Sequence, residues 1–456
     1  MSERQAGKVA PGGAPQQRNI VKVVAASMVG TSVEWYDFFL FGSAAALVFG
    51  DVFFDEVGGT DGTLYSFMIY AVGFAARPIG GIAFGHFGDR IGRKKMLVLS
   101  LLLMGGATFA IGLLPTYAQV GLAAPLLLVV CRLVQGFAVG GEWGGAVLMA
   151  AEHGEDGKRG FWTSFVQAGV PAGNLLAAAV LWILQITLDD AAFESWGWRI
   201  AFLLSAVLVL IGLFVRLSVE ESPVFAAAQE EMARRKAENS MPLLEVIKHY
   251  PREILLAMGM RMAENISYYI FTVISIAYLT DFLDLDGAIG TRAVLIGSAV
   301  TLVYIPLIGL LSDRFGRRPF YLAGAIGVGL FSFVFFDMLD AESSVVVILA
   351  VVVGLLLHGL MYSPQAAFFS ELFGTTVRYS GASVGYQLAS VVAGGLAPIV
   401  AIALLGDVDS PNHTAVAIYI VTASVVSIVC VVLARETKGD SLDHDRVIEK
   451  QTGSRG

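Results

Sequence analysis

The chain has 456 residues, of which 56% are hydrophobic and only 15% charged, against the roughly 25% of an ordinary soluble protein. Its mean hydropathy is +0.71, and so little polar surface would leave a soluble globule with large exposed apolar patches. That excludes a soluble enzyme, a disordered chain and a secreted disulfide scaffold, and the net charge of −8 argues against a nucleic-acid partner.

Residues 1–19 are polar and rich in Gly and Pro, and read as a cytoplasmic N-terminal tail. No cleaved signal is evident, because the apolar run from Ile20 to Phe49 is too long for a signal core. A helix needs about 20 apolar residues to cross the hydrocarbon. Six such runs occupy 20–49, 63–85, 96–115, 122–151, 160–187 and 197–217. Residues 218–253, with the charged stretch Gln229–Asn239, read as a cytoplasmic linker. Six more runs occupy 254–280, 289–311, 319–338, 344–372, 379–405 and 413–434, and 435–456 form a C-terminal cytoplasmic tail. A transmembrane β-barrel would alternate apolar and polar residues. The predicted fold is therefore all-α and integral to the membrane, with twelve transmembrane helices in two six-helix halves, 20–217 and 254–434. With both termini in the cytoplasm, the outer loops and the outer ends of the spans hold only Arg199 and Arg292 of the 30 Lys and Arg, a strong positive-inside bias. Cys131 and Cys430 lie inside apolar runs and read as small buried hydrophobes.

An internal repeat supports the two halves. Gly85-His-Phe-Gly-Asp-Arg-Ile-Gly-Arg93 follows the second span, and Gly309-Leu-Leu-Ser-Asp-Arg-Phe-Gly-Arg317 follows the eighth. A second echo follows the fourth and tenth spans, where Glu152 precedes Arg159 and Glu371 precedes Arg378 by the same interval. Parallel six-helix repeats with a site at the midplane are a known transporter plan.

Ionisable side chains inside a membrane are costly and mark function by default. Eight qualify: Glu34, Asp37, Arg77, Arg132, Glu142, Arg261, Glu264 and His358. Each alternatively belongs to a structural ion pair. Glu34 and Asp37 share one helix face. Two carboxylates so close in low dielectric do not both ionise easily, which makes the pair the candidate proton site, Asp37 first. Arg132, with Gln135 one turn on, offers a planar fork to a substrate carboxylate; the alternative is a pair with Asp37. Arg77 and Glu142 count to a similar depth and form a candidate inner gate. Arg261 and Glu264 are spaced to pair with each other, and His358 is either a titrating group or packing. Trp35, Tyr36, Tyr268, Tyr269, Tyr362 and Tyr386 lie beside these charges and suit a polyol ring, a quaternary ammonium or plain packing. Gln167, Asn174 and Gln387 bond either substrate hydroxyls or neighbouring helices. No Cys/His metal cluster, nucleotide loop or Ser/His/Asp triad appears, so no metal, cofactor or enzymatic activity is expected.

The pattern at 85–94 resembles the signature loop of the major facilitator superfamily. Glu34-Trp-Tyr-Asp-Phe-Phe39, Arg77-Pro-Ile-Gly-Gly81, Arg132-Leu-Val-Gln-Gly136, Gly140-Gly-Glu-Trp-Gly-Gly145 and Glu220-Glu-Ser-Pro-Val-Phe225 are similar to the metabolite:proton symporter family within it. Arg261-Met-Ala-Glu264, His358 and Arg378-Tyr-Ser-Gly-Ala-Ser-Val-Gly-Tyr-Gln387 are similar to its shikimate permease branch. The resemblance implies a plasma-membrane symporter that carries a small organic acid together with H⁺ by alternating access. It implies binding residues at Arg261, Glu264 and His358, a coupling role for Arg132, and a cytoplasmic gate. That gate comprises Gly85, Asp89, Arg90, Gly92 and Arg93 with their echoes Asp313, Arg314, Gly316 and Arg317, and Glu152, Arg159, Glu371 and Arg378. Osmolyte transporters for proline and betaine are the alternative, against which stands a tail without heptads; a membrane receptor or enzyme is a more distant one. A monomer is expected, with the lipid bilayer and a small molecule as its partners.

Overall fold

In the computed structural model the described residues are 14–54, 59–91, 93–140, 147, 150–151, 157–220, 250–373 and 385–439. Most of the expected linker, and the gate candidates Gly92, Glu142, Glu152 and Arg378, lie outside them. Gly85, Asp89, Arg90 and Arg93 fall within helices, but their side chains lie outside the description.

The apolar runs become helices because a chain in lipid must satisfy its backbone groups within the segment. The first six are α1 (Ala14–Leu47), α2 (Gly59–Ile91), α3 (Arg93–Gly112), α4 (Ala123–Val139), α5 (Arg159–Thr187) and α6. Helix α6 runs from Asp190–Ala192 through a π-turn, Phe193–Gly197, and Trp198–Leu203 to Ser205–Glu220. Then follow α7, spanning 251–282 with π-turns at Ile270–Ile274 and Tyr278–Phe282, α8 (Gly287–Phe315), α9 (Arg317–Leu339), α10 (Ser344–Leu372), α11 (Gly385–Leu405) and α12 (His413–Leu433). Side chains mark several starts: Asp286 accepts from Ala288 N at 2.8 Å and Asn412 from Ala415 N at 3.0 Å. Gly316, at φ +102°, turns the chain from α8 into α9 in a region other residues avoid.

Eight of the described helices are long and apolar enough to cross a membrane. Of the other four, α3 and α4 are shorter as apolar helices, and α1 and α7, whose middles carry Glu34, Asp37, Arg261, Glu264 and Asn265, both help to line the centre of the molecule.

The first six helices meet the last six along α5 and α8. At the end where α1 starts and α12 finishes, called inner below, Gly160 and Gly309 let the two backbones touch: a Cβ on Gly160 would lie 2.6 Å from Gly309 O. At the other end Thr291 Oγ1 donates to Gln185 Oε1 at 2.5 Å. Phe39 on α1 packs on Tyr268 and Tyr269 of α7, and Phe74 on α2 packs under Gly394 and Gly395 in a π-turn of α11. Three amides also cross between the sets. Gln167 Nε2 donates to Tyr362 O at 3.1 Å, Asn174 Nδ2 to Tyr268 Oη at 3.0 Å, and Gln387 Nε2 to Gly140 O at 2.9 Å. Of the two roles open to these amides, this conformation displays the bonds across helices.

Candidate functional site

Between the two sets lies a small, partly open cavity; its void together with the adjoining open space comes to about 260 Å³. Trp35, Phe39 and Val170 line it from the first six helices. The polar lining comes from the last six and includes Arg261, Glu264, Asn265, His358 and Tyr386.

Helix α7 places Arg261 and Glu264 one turn apart, with Arg261 Nη2 3.7 Å from Glu264 Oε2. Glu264 has closer partners. Its Oε2 accepts from Gln365 Nε2 at 3.1 Å, and its Oε1 lies 3.3 Å from His358 Nε2. Gln365 also contacts Tyr321 Oη at 3.0 Å, which donates to Met260 O at 2.8 Å. The Arg261 guanidinium lies 3.4 Å from the centroid of the Tyr386 ring, and its Nε has no hydrogen-bond partner. All of these side chains are buried. They form a network whose carboxylate is well satisfied and whose arginine has only long contacts, Nη1 donating to Gln365 Oε1 at 3.5 Å.

The first six helices hold a different cluster. Arg132 Nη1 donates to Gln135 Oε1 at 3.1 Å, and Gln135 Nε2 to Thr108 Oγ1 at 2.7 Å. Arg132 Nε reaches Tyr70 O at 3.4 Å. Aromatic faces supply the rest of its surroundings: its guanidinium lies 4.2 Å from the Phe38 centroid, and that of Arg77 lies 4.1 Å from the same ring. Neither arginine forms an ion pair among the described residues, and Arg132 Nη2 and Arg77 Nε and Nη2 lack hydrogen-bond partners. Asp37 is buried, and neither of its carboxylate oxygens has a hydrogen-bond partner. Glu34, one turn earlier, is also buried and engaged.

The cavity thus gathers Trp35, Arg261, Glu264, His358 and Tyr386 and leaves Asp37, Arg77, Arg132, Gln135 and Gln387 outside its lining. Tyr36 points away and donates to Ala201 O at 2.7 Å. Sequence reasoning missed Asn265 and Gln365, which carry no charge; their signal is an amide inside an apolar run, next to Glu264 in one case and to Pro364 in the other.

The inner end carries a second network. Asp313, at the end of α8, accepts from the Gly160 and Phe161 N–H groups at 2.8 and 2.9 Å and so caps α5 from the other set of helices. Arg317 bonds Asp313 at 2.7 Å and Glu371 at 3.1 Å, and Arg159 lies 3.8 Å from Glu371. The segment after α12 joins in. Thr437 Oγ1 donates to Glu371 Oε2 at 2.6 Å, Glu436 accepts from the Arg317 and Arg318 N–H groups, and Lys438 Nζ donates to Arg314 O. Gly316 sits under Glu436: a Cβ there would lie 2.7 Å from Oε2.

The family model for "Sugar (and other) transporter" matches residues 22–447. The shikimate transporter of Escherichia coli (strain K12) is 41% identical over 413 residues, covering 90% of this chain and 94% of that one. The inner membrane metabolite transport protein YhjE of the same organism is 40% identical, covering 92% and 95%. Its proline/betaine transporter is 32% identical, covering 91% and 83%. Among solved structures, a proton:xylose symporter of the major facilitator superfamily superposes with a TM-score of 0.73 at 17% identity, covering 95% of this chain and 99% of that one, a likeness of fold. From the matched family model and the relatives, the chain belongs to the sugar (and other) transporter family, and its fold is that of a major facilitator superfamily symporter.

Proposed function

We propose that this multi-pass protein is a monomeric proton symporter of the plasma membrane, with both termini in the cytoplasm, that imports a small carboxylate such as shikimate. The observation that carries the reading is Arg261. It is the guanidinium in the cavity lining, its Nε is unpartnered, and Glu264 sits 3.7 Å away with closer partners of its own. A ligand carboxylate can therefore take the guanidinium fork without stripping Glu264 of its bonds to Gln365 and His358.

Asp37 carries the coupled proton in this reading. An ionised carboxylate buried without a hydrogen bond is costly, and both Asp37 oxygens are in that position. While ionised, Asp37 offsets the charge of Arg77 and Arg132; protonated, it leaves the interior more positive and favours an anion in the cavity. Proton and carboxylate thus enter together with little change in buried charge. Arg132 acts in this scheme as the cation of the coupling cluster, with Gln135 fixing its orientation. Two halves, 20–217 and 254–434, alternate access around the cavity, and Asp313, Arg317, Glu371 and Arg159 close the inner end.

Proteoliposomes test this reading. A pH gradient, acid outside, should accumulate shikimate, and a protonophore should abolish the accumulation. Equal competition by shikimate and its carboxamide would show that no carboxylate is read. Competition by glycine betaine in preference to shikimate would favour the osmolyte reading suggested by the proline/betaine relatives.

A further inference from the structure

Beside Arg261, the cavity lining holds two uncharged polar atoms without partners. Asn265 is 4% exposed and its Nδ2 has no acceptor; His358 is 1% exposed and its Nδ1 has no partner. Folded interiors leave few such groups unsatisfied, because each forfeits its bond to water. The two differ in sense. The other ring nitrogen of His358, Nε2, faces Glu264 Oε1 at 3.3 Å. An ionised carboxylate only accepts, so Nε2 carries the hydrogen and Nδ1 of the neutral ring is left as an acceptor. The amide Nδ2 of Asn265 only donates. A hydroxyl group does both at once.

We infer that Asn265 and His358 read the hydroxyl groups of the transported acid, so that the site selects hydroxylated acids over their deoxy analogues and over N-methylated zwitterions. The inference rests on the proposed function, with Arg261, one helical turn before Asn265 on α7, holding the carboxylate in the same cavity. An analogue without hydroxyls leaves a buried donor and a buried acceptor unpaired, the asymmetry by which binding sites reject substrates lacking a polar group.

The test compares two probes in one preparation: shikimate and cyclohex-1-enecarboxylate, the same ring acid stripped of its hydroxyls. Wild-type protein should transport shikimate with the lower KM. Asn265→Leu should raise the KM for shikimate roughly three- to tenfold, the span of one neutral hydrogen bond, and leave that for the deoxy acid unchanged. Asn265→Ser, which restores a small donor, should recover part of the preference and serves as the readout if the leucine variant does not reach the membrane. An unchanged ratio of the two KM values in both variants, or an equal rise for both acids, would overturn the role of Asn265. Wild-type protein that moves neither acid would instead overturn the carboxylate reading beneath it.

Discussion

The two sets of helices bury similar inventories of charge and treat them in opposite ways. In the last six, Arg261, Glu264, Gln365, His358 and Tyr321 form a connected network that faces the cavity. In the first six, Asp37, Arg77 and Arg132 are buried without ion pairs among the described residues, the two arginines packed on Phe38 and all three outside the cavity lining. A network built around a well-bonded carboxylate holds its charge in one geometry; a buried carboxylate without a hydrogen bond stores a cost that a proton can relieve. The contrast suggests a division of labour, with recognition in α7 and α10 and energy coupling in α1, α2 and α4.

The largest effect expected from that division is at Asp37. Asp37→Asn should abolish accumulation driven by a pH gradient and leave counterflow exchange measurable, because exchange does not require release of the proton. Glu34→Gln should be milder. Full accumulation by both variants would remove the pair as the proton site and with it the coupling role of the first six helices.

Arginine replacements sharpen the comparison next. Arg261→Lys keeps the charge and loses the fork, and should raise the KM for shikimate roughly tenfold, with Arg261→Ala worse, in line with about 1.5–3 kcal/mol for hydrogen bonds to a charged group. Arg132→Lys should lower the rate and disturb the pH profile more than the KM. The reverse pattern, with KM governed by Arg132 and rate by Arg261, would exchange the roles of the two clusters and return the carboxylate to the position that the sequence favours.

Stability should split in the same sense. Glu264→Gln removes the carboxylate from a network that includes a buried guanidinium, and breaking a buried charge pair typically costs about 3 kcal/mol. Asp37→Asn removes a carboxylate with no hydrogen bond and should leave thermal unfolding in detergent unchanged or slightly raised. Equal loss in the two variants would show that Asp37 is held as firmly as Glu264.

The sequence made the twelve helices legible because lipid forces each span to be long, apolar and internally bonded. The charged candidates were legible for the same reason, as costly exceptions within apolar runs. Which of them share a cavity was not. Helix periodicity places Arg132 beside Gln135 and Arg261 beside Glu264, but it is silent on what stands between α4 and α7. The Phe38, Tyr70 and Phe74 rings that surround the two arginines are ordinary apolar residues of such spans. Asn265 escaped notice because an uncharged amide lowers hydropathy without announcing itself. The part of the tail next to α12 was undervalued for another reason: the bonds of Glu436, Thr437 and Lys438 are to α8, α9 and α10, far away in sequence.

That tail supports the smallest of the expected effects. Partial burial pushes the Glu436 carboxyl up, but the backbone N–H groups of Arg317, Arg318, Lys438 and Thr437 outweigh it and hold the group below the usual carboxylate range. A carboxyl depressed on folding stabilises the folded form above its unfolded value, about 4.3, and that contribution is lost as the pH falls through the folded value. The segment 435–439 should therefore stay attached to the start of α9 at neutral pH and come loose only as the pH falls below the usual carboxylate range. Amide hydrogen exchange at Arg317 and Arg318 reads the attachment directly. Glu436→Gln should speed that exchange already at pH 7, at a cost of about 1 kcal/mol for a lost helix cap, while truncation after Asp440 should change neither exchange nor transport rate. If truncation there slowed transport as much as Glu436→Gln does, the strap would have to extend beyond residue 439. If Glu436→Gln changed neither exchange nor rate, the inner end would be held by Asp313, Arg317 and Glu371 alone.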